Sequence, residues 1–166
     1  SAKNSSMRQP QSVAEHDKQK PKTVVITTIM CSYPGVDNAG QQHLEYPPNS
    51  YVLRVPSPVI FPEDFYIDSF RKGIDGIIVM SCGEECPYSG AFKRLGKRIN
   101  KVMKRMKEEF GLESKRLKLT AICTVCAKHV VKEITEMDEY LRSLQPAKTL
   151  LAKHTTSIAA GVNGSN

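Results

Sequence analysis

Five cysteines carry the chemistry most plainly available to this sequence: Cys31, Cys82, Cys86, Cys123 and Cys126. Cys123 and Cys126 form a Cys-x-x-Cys pair and Cys82 and Cys86 a Cys-x-x-x-Cys pair, each short enough to chelate one metal centre from one loop. Thiolates select zinc, copper(I) or iron–sulfur clusters. Dithiol–disulfide exchange is the alternative for Cys123-Thr124-Val125-Cys126, but it leaves Cys82 and Cys86 without a task. For Cys31 taken alone, the plain alternative is a buried small hydrophobe. Glu84 and Glu85 lie between two of the cysteines, yet no nucleophile or separated partner accompanies them for acid–base work.

The elements that must position these residues follow from hydrophobic patterning. Thr23 to Met30 (TVVITTIM) is an unbroken apolar and β-branched run, as expected of a strand buried on both faces. Tyr51–Val55, Gly76–Ser81 and Leu117–Ile122 read as three further strands. Between and after them stand helix-compatible segments. Pro62–Lys72 offers Phe65, Ile67 and Phe70 for burial. Ala91–Phe110 sets Phe92, Leu95, Ile99, Val102, Met103 and Met106 at helical spacing, with Gly111 as its stop. Val125–Leu144 sets Val130, Val131, Ile134, Met137 and Leu141 on one face. The segment after Cys31 reads as an irregular loop with a short helix around Asn38 to His43. Alternation of strand and helix predicts an α/β fold: a single open parallel sheet of about four strands with flanking helices.

In such a sheet the carboxyl ends of all strands share one edge, where ligands usually bind. Cys31 follows the first strand, Cys82 and Cys86 straddle the loop after the third, and Cys123 and Cys126 follow the fourth. All five cysteines therefore map to one edge although they are far apart in sequence. His43 and His129 are expected to flank that edge, as ligands, hydrogen-bonding partners or ordinary surface residues.

Bulk composition bounds the rest. The 166 residues are 40% hydrophobic and 25% charged, as in a globular domain with tails. Residues 1–21 are polar and poor in large apolar side chains and read as a mobile tail; residues 22–145 form the domain; residues 146–166 read as a flexible tail with room for a short helix around Leu150. No apolar run approaches a membrane span, and residues 1–20 lack the apolar core of a secretory signal, so a cytoplasmic location is expected. Five cysteines then favour metal or redox chemistry over structural disulfides. No glycine-rich dinucleotide fingerprint follows the first strand, which disfavours autonomous NAD or FAD binding.

The formal net charge of +7 is concentrated on one predicted helix. Lys93, Arg94, Lys97, Arg98, Lys101, Lys104, Arg105 and Lys107 cover its polar side, with Lys97, Lys101, Lys104 and Arg105 as the candidate docking residues for an acidic partner. A solvated helix face is the plain alternative. Nucleic acid is disfavoured, because no reading motif or aromatic platform accompanies the charge.

The ordered set Cys31-Ser32-Tyr33-Pro34-Gly35-Val36-Asp37-Asn38-Ala39-Gly40, Tyr46-Pro47-Pro48-Asn49, Leu53-Arg54-Val55, Phe70-x-x-Gly73-x-Asp75-Gly76 and Cys82-x-x-x-Cys86-x-Tyr88 resembles the delta (iron–sulfur) subunit of methyl-viologen-reducing hydrogenase over roughly Val24 to Leu144. The resemblance implies a flavodoxin-like or Rossmann-like domain that holds a [2Fe-2S] cluster on cysteine thiolates. It also implies a relay of electrons between a hydrogenase or formate dehydrogenase and the flavoprotein of heterodisulfide reductase, in anaerobic archaea and some bacteria. Cys31, Cys82 and Cys86 match family positions, whereas Cys123 and Cys126 are additions. Thr27, Thr28 and Ser57 stand where family members commonly carry cysteine. The function expected is thus an electron-transfer subunit with an iron–sulfur cluster; the alternative is a zinc-stapled or metal-free docking adaptor of the same fold.

Overall fold

The β-branched run after Pro21 forms the first strand, β1 (Thr23–Thr28), buried along nearly its whole length. The computed structural model describes residues 20–85, 90–122 and 125–162. In chain order β1 is followed by helix α1 (Ser32–Gln41), strand β2 (Ser50–Val55), helix α2 (Glu63–Arg71) and strand β3 (Gly76–Ser81). Helix α3 (Ala91–Phe110), strand β4 (Leu117–Ala121) and helices α4 (Ala127–Arg142) and α5 (Ala147–Val162) complete the order. The four strands form one parallel sheet in the order β2-β1-β3-β4, with Thr23 opposite both Ser50 and Gly76 and Ile77 opposite Leu117. This is the open α/β sheet that the alternating pattern predicts.

Alternation along the strands divides the core into two layers. Ile26, Ile77 and Val79 face one side, where Tyr66, Ile67 and Phe70 of α2, Leu95, Ile99, Val102 and Met106 of α3, and Ala147 and Leu151 of α5 cover them. Val25, Ile78 and Met80 face the other, under Val36 of α1 and Val130, Ile134, Met137 and Leu141 of α4. Burial of these side chains contributes on the order of 1.5–3 kcal/mol each against the cost of ordering the chain.

Two segments depart from the patterning. The stretch after Cys31 is a full ten-residue helix rather than a loop with a late short helix. Pro34 falls in its first turn, where no intrahelical N–H is required, so it does not break the helix. The segment expected as a flexible tail with a short helix contains the sixteen-residue α5. Asp75 starts that helix from a distance: its Oδ1 accepts the Ala147 amide (2.9 Å) and its Oδ2 the Lys22 amide (3.1 Å). Arg116, fully buried, donates to the carbonyls of Asp75 (3.2 Å) and Gln145 (2.5 Å) and pairs with Glu113. The tail expected over residues 1–21 lies almost wholly outside the described residues, but Pro21 is buried and its carbonyl accepts the Asn49 side-chain amide. Among the described residues no helix is long and apolar enough to cross a membrane.

Candidate functional site

The connection after β1 runs to β2 on one side of the sheet, and that after β3 runs to β4 on the other. The chain thus leaves the two central strands in opposite directions, and the crevice at their carboxyl ends is where ligands bind in open α/β sheets. Cys31 and Cys82 stand on either side of that crevice, both half-buried. Cys31 occupies the cap position of α1, its amide donating to the Thr28 carbonyl (3.4 Å). Cys82 directly follows β3. Gly83 then turns the chain with φ +68°, and a Cβ there would lie 3.2 Å from that of Ala121, so a larger residue is strained as well as crowded. The Ile122 amide donates to the Ser81 carbonyl (2.8 Å), which extends the pairing of β3 and β4 by one residue.

Cys126 occupies the cap position of α4, packs against the α1–α4 core and is disulfide-bonded. Helices α1 and α4 lie side by side, so Cys31 and Cys126 mark the amino-terminal ends of two neighbouring helices. Both sit where helix dipoles favour negative charge. The structure therefore brings Cys31, Cys82 and Cys126 to one edge. Cys86 and Cys123 lie outside the described residues. Among the described residues no three side chains of His, Cys, Asp and Glu converge as a metal-ion site. The thiols at the edge, Cys31 and Cys82, suit a thiophilic centre rather than an oxygen-ligated one.

Ser32 is the residue that patterning missed. Its buried hydroxyl donates to the Met80 carbonyl (2.8 Å) and accepts the Thr28 amide (2.8 Å), while its own amide donates to Thr28 Oγ1 (3.2 Å). One knot thereby ties the end of β1, the start of α1 and the end of β3, the three pieces that carry Cys31 and Cys82. The small hydroxyl next to Cys31 at a strand end is the only sequence signal of it. Thr27 Oγ1 donates to the Leu53 carbonyl (3.3 Å), and Ser57 Oγ accepts the Val59 amide (3.4 Å) at the start of a 3-10 turn, Pro58–Ile60. All three hydroxyl residues at the positions implied as family cysteines are thus engaged in hydrogen bonds that shape the backbone.

The histidines do not both flank the edge. His43 follows the carboxyl end of α1, a whole helix away from Cys31, because α1 runs antiparallel to the strands. His129 lies in the first turn of α4, where Nε2 meets Glu133 Oε1 (3.3 Å). Glu84 is exposed in the turn after Cys82.

The basic helix divides into two sets. Lys101 pairs with Glu63 (2.9 Å), and Arg105 with Glu63 (3.3 Å), Asp64 (3.1 Å) and Glu109 (3.3 Å), so both clasp α3 to the start of α2. The Lys101 hydrogen bond, with help from Arg105, lowers the Glu63 carboxyl pKa below its ordinary value. The hydrogen bond that Arg105 donates to Asp64 raises that of the guanidinium. Arg98 donates to the carbonyls of Val59 and Phe61 (2.7 Å to the latter). Lys97 and Lys104 are exposed and make no ion pair among the described residues.

The family model of the methyl-viologen-reducing hydrogenase delta subunit, FlpD, matches residues 23–145. The chain belongs to this family. The iron-sulfur subunit of the F420-non-reducing hydrogenase of Archaeoglobus profundus is 31% identical over 134 residues, which cover 80% of this chain and 96% of that one. Another relative belongs to the ferredoxin:CoB-CoM heterodisulfide reductase of Methanosarcina mazei, one of whose subunits is 28% identical over 152 residues. There the match covers 91% of this chain but only 19% of the relative. The iron-sulfur subunit of the vhc F420-non-reducing hydrogenase of Methanococcus voltae is 28% identical over 99 residues, or 59% of this chain and 68% of its own.

Proposed function

We propose that this delta-subunit-family chain is an electron-transfer subunit that holds an iron–sulfur cluster, of [2Fe-2S] type, on cysteine thiolates at the carboxyl edge of its sheet. The observation that carries this reading is the placement of Cys31 and Cys82 across the crevice between β1 and β3, with Cys126 at the same edge. Cys86 and Cys123, four and three residues from Cys82 and Cys126 in sequence, complete the candidate ligand set. The cluster supplies the one-electron chemistry; the protein sets its potential through burial, hydrogen bonds to sulfur and local charge. Relatives named as iron-sulfur subunits support the cofactor. The relative that carries a similar stretch within a heterodisulfide reductase subunit supports an enzyme of that type as one partner, and the relatives named as hydrogenase subunits support a hydrogenase as the other. The flavin of the first partner, and a formate dehydrogenase module in place of the hydrogenase, rest on the family resemblance.

The disulfide at Cys126 favours a second reading, since a thiol bound in a disulfide donates no thiolate to metal. In that reading the domain is a metal-free docking adaptor within the same complex, or a zinc-stapled one whose ligands leave out Cys126. Iron and sulfide analysis of anaerobically purified, reduced protein separates the two, together with EPR after dithionite. About two irons and two sulfides per chain, with a reducible paramagnetic signal, support the electron relay. Zinc or no metal in protein shielded from oxygen throughout overturns it in favour of the adaptor.

A further inference from the structure

Large hydrophobic side chains exposed among the described residues include Ile29 (44%) and Met30 (69%), which stand immediately before Cys31, and Ile60 (60%), which ends the 3-10 turn after β2. The Ile29 amide donates to the Val55 carbonyl (3.0 Å), and the turn carrying Ile60 touches both β1 and α3. Arg98 secures that turn to α3 through the carbonyls on either side of Ile60. The exposed aliphatics by the cysteine edge therefore adjoin α3 at Arg98, in the amino-terminal half of the helix that also carries Lys93 and Lys97.

Helix α3 adds charge of one sign to it. Lys93, Lys97, Lys104 and Lys107 follow one another at intervals of four, seven and three residues, which puts them on one face, and all are exposed. None has a hydrogen bond or ion pair among the described residues, whereas Arg98, Lys101 and Arg105 are spent on holding the fold. Like charges at helical spacing repel. Aliphatics exposed beside them gain nothing from water. Both features become favourable only under a surface of opposite charge with an apolar centre.

We infer that Ile29, Met30 and Ile60, flanked by Lys93 and Lys97 with Lys104 farther along the same helix face, form a docking surface for an acidic protein face with an apolar centre, seating that partner beside the cysteine edge. This rests on the reading of the chain as a subunit of a redox complex. A nucleic acid fits less well, since no exposed aromatic side chain interleaves the lysine row and the centre is aliphatic.

The test uses the full chain and the heterodisulfide-reductase flavoprotein of the same source, titrated at low and at physiological ionic strength. Combined Lys93→Glu, Lys97→Glu and Lys104→Glu is expected to weaken binding at least about tenfold, as is Met30→Asp, with unchanged melting temperature. A matched reversal at Lys132, Lys148 and Lys153 leaves it unchanged. Wild-type affinity in the α3 variant overturns this surface and leaves the reading as a redox-complex member standing. No binding by the wild type at low ionic strength overturns both. Salt-steep binding to a short DNA duplex in place of the protein makes the row a phosphate-binding face and overturns the inference.

Discussion

The hydroxyl of Ser32 donates to the carbonyl of Met80 across 2.8 Å, joining the first turn of α1 to the central strand β3. The same oxygen accepts the Thr28 amide, so one atom serves three backbone segments. Ser32→Ala leaves buried polar groups without a partner, and a cost of about 1–3 kcal/mol is expected in urea unfolding. Because the knot adjoins Cys31, thiol labelling at that residue in the native state is expected to quicken. Labelling at the wild-type rate would separate the knot from the cysteine edge.

Arg116 lies at the opposite edge and is wholly buried. Arg116→Ala abandons the Asp75 and Gln145 carbonyls and the Glu113 carboxylate, at an expected cost of roughly 2–4 kcal/mol. Asp75→Ala removes the acceptor for both Lys22 and Ala147 and is expected to expose α5 to proteolysis before the rest of the domain. Limited digestion followed by mass analysis reads this directly.

Tyr66 is fully buried and its hydroxyl has no hydrogen-bond partner among the described residues. Burial pushes its pKa up to about 12, against a smaller opposing effect of Arg98. The native state holds this proton while the unfolded chain releases it near 10, so the associated stability is intact below pH 10 and is lost as the pH rises toward 12. Tyr66→Phe is expected to be neutral or stabilising by about 1 kcal/mol at pH 7 and to resist alkali better than the wild type. Denaturant midpoints from pH 7 to 11 check both.

Much of this architecture was legible in the chain. The spans Gly76–Ser81 and Ala91–Phe110 match the hydrophobic pattern residue for residue, because one is buried on both faces and the other carries a clean apolar stripe ended by Gly111. The helix α1 was hidden: Pro34, Gly35 and Gly40 lower its intrinsic propensity, and its packing against α4, with Val36 in the shared core, compensates. The placement of Cys31, Cys82 and Cys126 at one edge follows from alternation alone, but Ser32 and the Asp75–Arg116 node are tertiary and leave no periodic trace. Nor could spacing divide the lysines of α3 from its structural arginines, since the partners of Arg105, Glu63 and Asp64, lie 42 and 41 residues away.

Those acidic partners set a response to acid. Glu63 has its pKa lowered, chiefly by the Lys101 hydrogen bond, so its contribution is present above the ordinary value of 4.5 and is lost as the pH falls through the lowered one. Glu63→Gln is expected to melt below the wild type at pH 7, with the gap closing in acid. A gap that persists below the carboxylate range would assign the effect to packing. Lys101→Ala is expected to shrink the same gap.

Lys22 and Ala147, which bracket the sheet in sequence, meet at a single carboxylate, that of Asp75, at the pole farthest from Cys31 and Cys82. The chain therefore enters β1 and passes from α4 into α5 at one doorway at the back of the unit. A polypeptide spliced on at that doorway leaves the cysteine rim uncovered, which makes the unit portable between a separate chain and a cassette within a longer one. The Methanosarcina mazei relative, in which a similar stretch fills 19% of the chain, has the second arrangement.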